Sequence, residues 1–178
     1  MNRATLSFLF TYLLMLVVIF VLPFFSHPSY SLLRNTSSHL AAQHMPHAWI
    51  MNVTFLLLGI TSLWAGWRFY KRFIFQKIVV SLFGLSLVGA AFFRHAPIDP
   101  ALPVDLLQDY WHSVFATTTG ISFTLLAIST AFILESNRAR VVAVSVAILA
   151  SVLSAAMFQW PHTWACSNAP CLLPVLVG

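Results

Sequence analysis

Five long apolar stretches dominate the sequence, and no Asp, Glu, Lys or Arg interrupts any of them. They cover approximately residues 4–25, 48–67, 78–93, 112–134 and 141–160. Most have the roughly 20 residues that an α-helix needs to cross about 30 Å of hydrocarbon, and the third does so if it starts near Phe73. The pattern predicts an all-α, polytopic transmembrane helical bundle of about five spans.

The composition agrees with a lipid environment. Apolar residues make up 60% of the chain and charged residues 7%, against about 45–50% and about 25% in soluble domains. Sixteen Phe and six Trp leave too little polar surface to cover a soluble fold. At 178 residues we expect a single transmembrane domain over residues 1–178, with membrane lipids as its surroundings.

The basic residues fall mostly into alternate loops, so that the net charge of +5 marks topology and predicts no nucleic-acid partner. Seven of the nine share one side: Arg3, Arg68, Lys71, Arg72, Lys77, Arg138 and Arg140. Arg34 and Arg94 fall on the other side. The positive-inside rule then predicts a cytoplasmic N-terminus, with the first apolar stretch an uncleaved span, and an extracytoplasmic C-terminus in the cell membrane.

The titratable residues concentrate in the loops predicted to be exterior. All seven histidines fall there or at the membrane boundary: His27, His39, His44, His47, His95, His112 and His162. Asp99, Asp105 and Asp109, three of the four acids, fall there too. Because the spans themselves carry no acidic or basic residue, ion-coupled pumping is disfavoured, and any chemistry is expected at the exterior face.

Two patterns of side chains could bind a metal or act on a substrate. Asp105, Asp109 and His112 share one face if their segment is helical, which suits an acid/base pair or a divalent metal site. The alternative is structural, with Asp109 capping the fourth helix and with these residues forming ion pairs. In the first exterior loop, His39, His44 and His47 could ligate a metal or be solvated loop residues, so metal content stays unknown.

Two cysteines, Cys166 and Cys171, lie in the predicted exterior tail. Their spacing permits a small disulfide loop, which an extracytoplasmic compartment would preserve. A pair of free thiols is the alternative.

Two blocks of sequence resemble the domain of unknown function 998 family of prokaryotic integral membrane proteins. The first comprises Tyr30, Ser31, Arg34, Asn35, Thr36, Ser38, Leu40, Ala41, Ala42, Gln43, Pro46, Ala48, Trp49, Ile50, Met51, Asn52, Phe55 and Gly59. The second comprises Phe93, Arg94, Pro97, Ile98, Asp99, Asp109, His112, Ser113, Phe115, Ala116, Gly120, Ile121, Ser122 and Phe123. The resemblance implies a bundle of about six helices. The residues from Cys171 to Gly178 are too few to cross a bilayer, so we expect either that the sixth family helix is missing or that this tail folds onto the outer surface.

The polar positions in these blocks indicate a site built from two exterior loops. Arg34, Arg94, Asn35, Ser38 and Asp99 are candidates for binding a lipid headgroup, since guanidinium suits phosphate. His112 and Asp109 are the candidate catalytic residues. Two hypotheses follow: a non-enzymatic binding or assembly protein, which we favour slightly, or an enzyme acting on a lipid or lipid-linked substrate by acid/base or metal-assisted chemistry.

Overall fold

The computed structural model describes residues 2–168, with side chains up to Val152. Within that part the chain is helical and contains no strand, which confirms the predicted all-α bundle. The α-helices are α1 (Arg3–Val21), α2 (Ala48–Phe69), α3 (Ile74–Phe92), α4 (Leu106–Ile133) and α5 (Asn137–Asn168). Short 3₁₀ helices, Leu22–Phe25 and Ser37–Ala41, follow α1 and precede α2.

Four helical segments are long and apolar enough to cross a membrane. They are Arg3–Phe25, Ala48–Phe69, Ile74–Phe92 and Leu106–Ile133. Large apolar side chains on their outer surfaces are exposed, among them Phe10, Phe92 and Phe132 at 66%, 70% and 81%. Such surfaces suit a lipid environment, so the chain is a multi-pass membrane-type protein. That α5 forms a fifth span stays a prediction.

Helices α3, α4 and α5 begin four or more residues before the apolar stretches that predict them. Helix α3 starts at Ile74, which gives the third segment the length to span. Helix α4 starts at Leu106, where the Asp105 side chain accepts hydrogen bonds from the backbone N–H groups of Leu107 and Gln108. The alternative that Asp109 caps this helix was wrong, because Asp105 already occupies the position just before the first turn.

The helices pack mainly on their neighbours in sequence, with α2 between α1 and α3, and α4 between α3 and α5. Close approach of α2 and α3 depends on glycine: a Cβ at Gly59 would lie 2.7 Å from the carbonyl oxygen of Gly84. A Cβ at Gly89 of α3 would lie 2.6 Å from the ring of Phe115 on α4. Small residues thus allow the backbone contact that membrane helices use for association.

Candidate functional site

Three imidazole rings meet at the end of the bundle where α2 and α4 begin. His39 lies on the second 3₁₀ helix, His95 follows α3, and His112 lies on α4. The ring centroids of His39 and His95 are 4.7 Å apart in an edge-on arrangement. The rings of His95 and His112 are stacked, with centroids 5.4 Å apart and planes 12° from parallel. We call these residues, with Asp109, the histidine cluster.

Asp109 orients the central ring of this cluster. Its Oδ1 forms a hydrogen bond with Nδ1 of His95 and accepts another, 2.7 Å long, from the backbone N–H of Ala96. Asp109 and His112 are one helical turn apart, as the sequence pattern predicts, and His95 is the residue that links them. A charge-assisted bond of this kind is stronger than a neutral one and restrains the imidazole.

His112 has a polar atom without a partner. The residue is 1% exposed, and its Nδ1 lies 2.8 Å from the carbonyl oxygen of Phe93. Because a carbonyl only accepts, Nδ1 carries the hydrogen, and Nε2 of the neutral ring is an acceptor. In the described part of the chain, Nε2 of His112 and Oδ1 of Asn52 are the buried side-chain polar atoms with no hydrogen-bond partner.

His39 has the opposite tautomer. Its Nδ1 accepts a hydrogen bond from the backbone N–H of Thr36 and lies 3.0 Å from the Thr36 hydroxyl, so that in the neutral ring Nε2 carries the hydrogen. Burial lowers the pKa of His39 to about 4, and its neighbours His95 and His112 add to the shift. This imidazole is therefore neutral at physiological pH.

Gln43 ties the loop between α1 and α2 to the segment between α3 and α4, a role that the sequence did not reveal. Its side-chain Nε2 donates to the carbonyl oxygens of Arg94 and Asp105, and its Oε1 accepts from the backbone N–H of Asp105 at 2.8 Å. Its own backbone N–H donates to the carbonyl oxygen of His95. Gln43 is 7% exposed. The sequence feature that could have indicated this role is the position of Gln43, whose side-chain amide directly follows the apolar residues Leu40–Ala42.

The other histidines that the sequence singled out in the loop between α1 and α2 lie apart from the histidine cluster. His44 and His47 both adopt the left-handed backbone conformation, with φ of 58°. Nε2 of His44 contacts the carbonyl oxygen of Pro103, and both residues are exposed. His39 instead faces His95. Among the described residues no group of three or more His, Cys, Asp or Glu side chains is arranged to hold a metal ion.

The predicted headgroup residues have mixed placements. Arg34 and Arg94 are exposed. Asn35 accepts a hydrogen bond from the backbone N–H of Ser31, and Asp99 accepts one from Ala101, so both stabilise turns of their own loops. Ser38 lines a cleft. The pairing of Cys166 with Cys171 lies outside the described residues.

A cleft of about 700 Å³ extends along the bundle. Helices α1 to α4 and the 3₁₀ helix Ser37–Ala41 all contribute to it. One end of the cleft is lined by Tyr70 and Thr130, and the other by Ser37 and Ser38 beside His39. Its polar lining residues all carry hydroxyl groups: Thr5, Tyr12, Ser37, Ser38, Ser62, Tyr70, Thr119 and Thr130. No charged side chain of the described part of the chain is among its lining residues.

The outer end of this cleft borders the histidine cluster. Ala90 lines the cleft, and its backbone lies within hydrogen-bonding range of the ring of His112, which does not itself line the cleft. Ala116, one helical turn after His112, also lines it. On the same helix, a Cβ added at Gly120 would meet no atom within 4 Å, so that this glycine opens onto free space in the cleft.

Fold and site together define a multi-pass membrane protein with a helical bundle, an apolar cleft and a polar cluster at one end. The model of a family described as protein of unknown function (DUF998) matches residues 12–168. The chain belongs to this family, as the resemblance of its two sequence blocks predicts. No curated protein and no solved structure matches the chain.

Proposed function

We propose that this protein binds a membrane amphiphile, a lipid or a lipid-linked molecule. Its hydrocarbon chain lies in the cleft and its polar end lies against the histidine cluster. The cleft carries this proposal, because its volume of about 700 Å³ falls in the range of about 300–1,000 Å³ typical of small-molecule sites. A non-enzymatic binding role is the function that this arrangement supports best.

The same proposal places the histidine cluster on the extracytoplasmic face and the N-terminus in the cytoplasm. Its support is the distribution of Lys and Arg, which concentrates at the opposite end of the bundle, around the α2–α3 and α4–α5 connections. The polar end of the ligand then lies at the level of the outer leaflet.

The loop residues contribute to this site in different ways. Ser38 is placed to contact the ligand because it lines the cleft. Arg34 and Arg94 are exposed at the same end, where guanidinium groups attract the anionic headgroups of surrounding lipids. Asn35 and Asp99 hold the loop turns that present these side chains.

An enzyme acting on such an amphiphile is the alternative, and the unpartnered Nε2 of His112 favours it. An imidazole nitrogen with a free lone pair is a competent general base. In this version the substrate displaces the residues that bury His112, whose Nε2 then takes a proton from the substrate or from water, and the Asp109 carboxylate orients the neighbouring ring of His95.

The test is to purify the full chain in mild detergent and identify bound lipids by native mass spectrometry. Gly120→Leu extends a side chain into the cleft, and we expect it to reduce the bound lipid several-fold. Thr117→Leu is the matched control, because Thr117 is exposed on the same helix and does not line the cleft. Equal lipid content in both variants and the wild type would refute binding in the cleft.

The enzymatic alternative has a separate readout. The co-purified lipid is added back in excess, and its conversion is followed in the wild type and in Asp109→Asn. Turnover that the variant abolishes, while the lipid still binds, establishes the enzyme. Binding without turnover leaves the non-enzymatic role.

A further inference from the structure

We propose that a groove between α4 and α5 binds an anionic phospholipid of the surrounding membrane. One acyl chain lies in the groove, and the phosphate binds the guanidinium group of Arg140. Among the described residues, this groove shares no lining residue with the cleft. It starts at the α4–α5 connection, at the end of the bundle opposite the histidine cluster. The inference therefore goes beyond the proposed function and does not depend on it.

The groove has the size and the lining that an acyl chain needs. Its volume is about 660 Å³, and two buried alanines, Ala131 of α4 and Ala147 of α5, line it. The larger side chains that flank them are all apolar: Ile128, Phe132, Val144, Ile148 and Val152. From Arg140 to Val152 the helix rises about 18 Å, and one leaflet of hydrocarbon is about 15 Å thick. A single acyl chain can therefore lie along the groove.

Arg140 supplies a positive charge at one end of this groove. Its Nε donates a 2.6 Å hydrogen bond to the carbonyl oxygen of Leu134, directly after α4. This bond holds the guanidinium group across the connection between the two helices. Among the described residues, none accepts a hydrogen bond from the Nη atoms of Arg140 or forms an ion pair with it. These donors remain for the oxygens of a phosphate, which a guanidinium group binds in bidentate geometry.

The surroundings of Arg140 favour an anion. Lys and Arg side chains concentrate at this end of the bundle, around the α2–α3 and α4–α5 connections. Glu135 is the one acidic residue of the sequence near these connections, and it is exposed. Basic pockets between membrane helices bind anionic lipid headgroups. In the orientation proposed above, this end also faces the leaflet that is richer in anionic lipids.

A lipid in this groove would stabilise the contact between α4 and α5. Helix α5 packs mainly on α4, and between Val141 and Val152 its one buried side chain is that of Ala147. An acyl chain in the groove covers further apolar surface of both helices, as a neighbouring helix would. The lipid then acts as part of the packing of α5.

Native mass spectrometry of the purified full chain in detergent tests the role of the headgroup. Phosphatidylglycerol and phosphatidylcholine with identical acyl chains are added in separate titrations. We expect the wild type to bind phosphatidylglycerol about fivefold more tightly, because the cation of the choline headgroup opposes binding to arginine. Arg140→Gln should reduce this preference to about twofold or less, since the amide is uncharged.

Arg138→Gln is the matched control for Arg140→Gln. Arg138 is exposed in the first turn of α5 and does not line the groove. Both substitutions remove the same charge from the same end of the protein. We expect Arg138→Gln to keep the preference for phosphatidylglycerol, and circular dichroism verifies that both variants are folded.

A second pair of variants tests the apolar part of the groove. Ser151 lines it, so Ser151→Leu occupies space that the acyl chain needs. Ser145→Leu is the control, because Ser145 is exposed on the same helix and does not line the groove. We expect Ser151→Leu to weaken the binding of phosphatidylglycerol several-fold and Ser145→Leu to leave it unchanged. Gly120→Leu, which fills the cleft, should also leave it unchanged.

Losses in Arg140→Gln and Ser151→Leu, without losses in their controls, support the inference. An unchanged preference in Arg140→Gln, or an equal loss in Arg138→Gln, would overturn the phosphate site. Loss of phosphatidylglycerol binding in Gly120→Leu would place this lipid in the cleft and not in the groove. A dimer that Ser151→Leu dissociates, with no lipid bound, would assign the groove to a second copy of the chain.

Discussion

The two ends of the bundle hold their charged groups in different ways. At the outer end, imidazoles and a carboxylate are partly or fully buried and are fixed by directional bonds to Thr36, Phe93 and Ala96. At the opposite end, which we propose to be the inner one, two cations lie on aromatic faces: Arg68 is 5.2 Å from the ring centroid of Trp64, and Lys77 is 5.5 Å from that of Trp67. A third cation there, the exposed Arg140, donates from its Nε to the carbonyl oxygen of Leu134.

The difference suits the end with the histidine cluster to the binding role that we propose for it. Exposed or half-buried cations on tryptophan rings make weak, solvent-screened contacts that orient a membrane protein. Inner contacts between helices are made by uncharged groups, such as the hydroxyls of Tyr70 and Thr130, 2.7 Å apart. Buried groups with fixed tautomers, by contrast, present a defined donor or acceptor to a bound molecule. Only the outer end has this property among the described residues.

The largest effect is expected from removing the residue that joins the outer loops. Gln43→Leu leaves the carbonyl oxygen of Arg94 and the backbone N–H of Asp105 without their Gln43 partner, whereas the carbonyl oxygen of Asp105 still accepts from the backbone N–H of Asp109. Each unsatisfied group costs about 1–3 kcal/mol, so we expect a loss of about 2–4 kcal/mol in the free energy of unfolding. Denaturation of the purified protein, followed by circular dichroism, measures it.

A matched substitution at the inner end is the control for Gln43. Gln76 is also 7% exposed, but its side chain makes one long bond, 3.3 Å, to the carbonyl oxygen of Ser129. Gln76→Leu should therefore destabilise by about 1 kcal/mol. Similar losses in the two variants would show that the outer loops are not held by Gln43.

Replacing a glycine by alanine should lower the stability of the protein on α3 and raise it on α4. Gly89→Ala places its Cβ 2.6 Å from the Phe115 ring, and overpacking of this kind costs about 1–3 kcal/mol. Gly120→Ala enters open space and should stabilise by up to about 1 kcal/mol through helix propensity. Thermal unfolding of the two variants side by side checks the sign, and two destabilised proteins would contradict an open cleft at Gly120.

Acid should destabilise the outer end in a specific pH window. The pKa of His39 falls from its usual 6.5 to about 4 in the folded protein, so the unfolded chain takes up a proton first as pH decreases. The stability contributed by the neutral ring is complete above about pH 6.5 and is lost progressively down to about pH 4.

The groups that face this ring are His95, His112 and Asp109, and their titration adds to the same curve. His39→Gln keeps a polar side chain that does not titrate. We expect the melting temperature of this variant to decrease less than that of the wild type between pH 7 and pH 4.5. Parallel curves for the two proteins would remove His39 from the explanation.

The smallest effect is expected from the inner cations. Lys77→Met removes a half-buried cation that lies on the Trp67 ring, a contact worth about 0.5–1 kcal/mol. Lys71→Met, an exposed position in the α2–α3 turn, is the matched control and should change stability by less than about 0.5 kcal/mol. A loss at Lys77 as large as that at Gln43 would erase the contrast between the two ends.

The sequence by itself determined that the chain forms a helical bundle and that most of its His and Asp residues lie at one end of it. Apolar runs without charges can be satisfied in lipid only as helices, because each backbone group must then bond within its own segment. The helical period also placed Asp109 and His112 on one face, which depends on local geometry alone.

Only the tertiary structure decided which histidines meet. His39 has two histidine neighbours in its own loop, yet it faces His95, 56 residues away, because Gln43 joins the first exterior loop to the segment between α3 and α4. The cleft likewise depends on how four helices pack, and no single helix encodes it. Contacts between segments distant in sequence follow from packing and hydrogen bonds that form only after the chain has folded, so neither periodicity nor composition could reveal them.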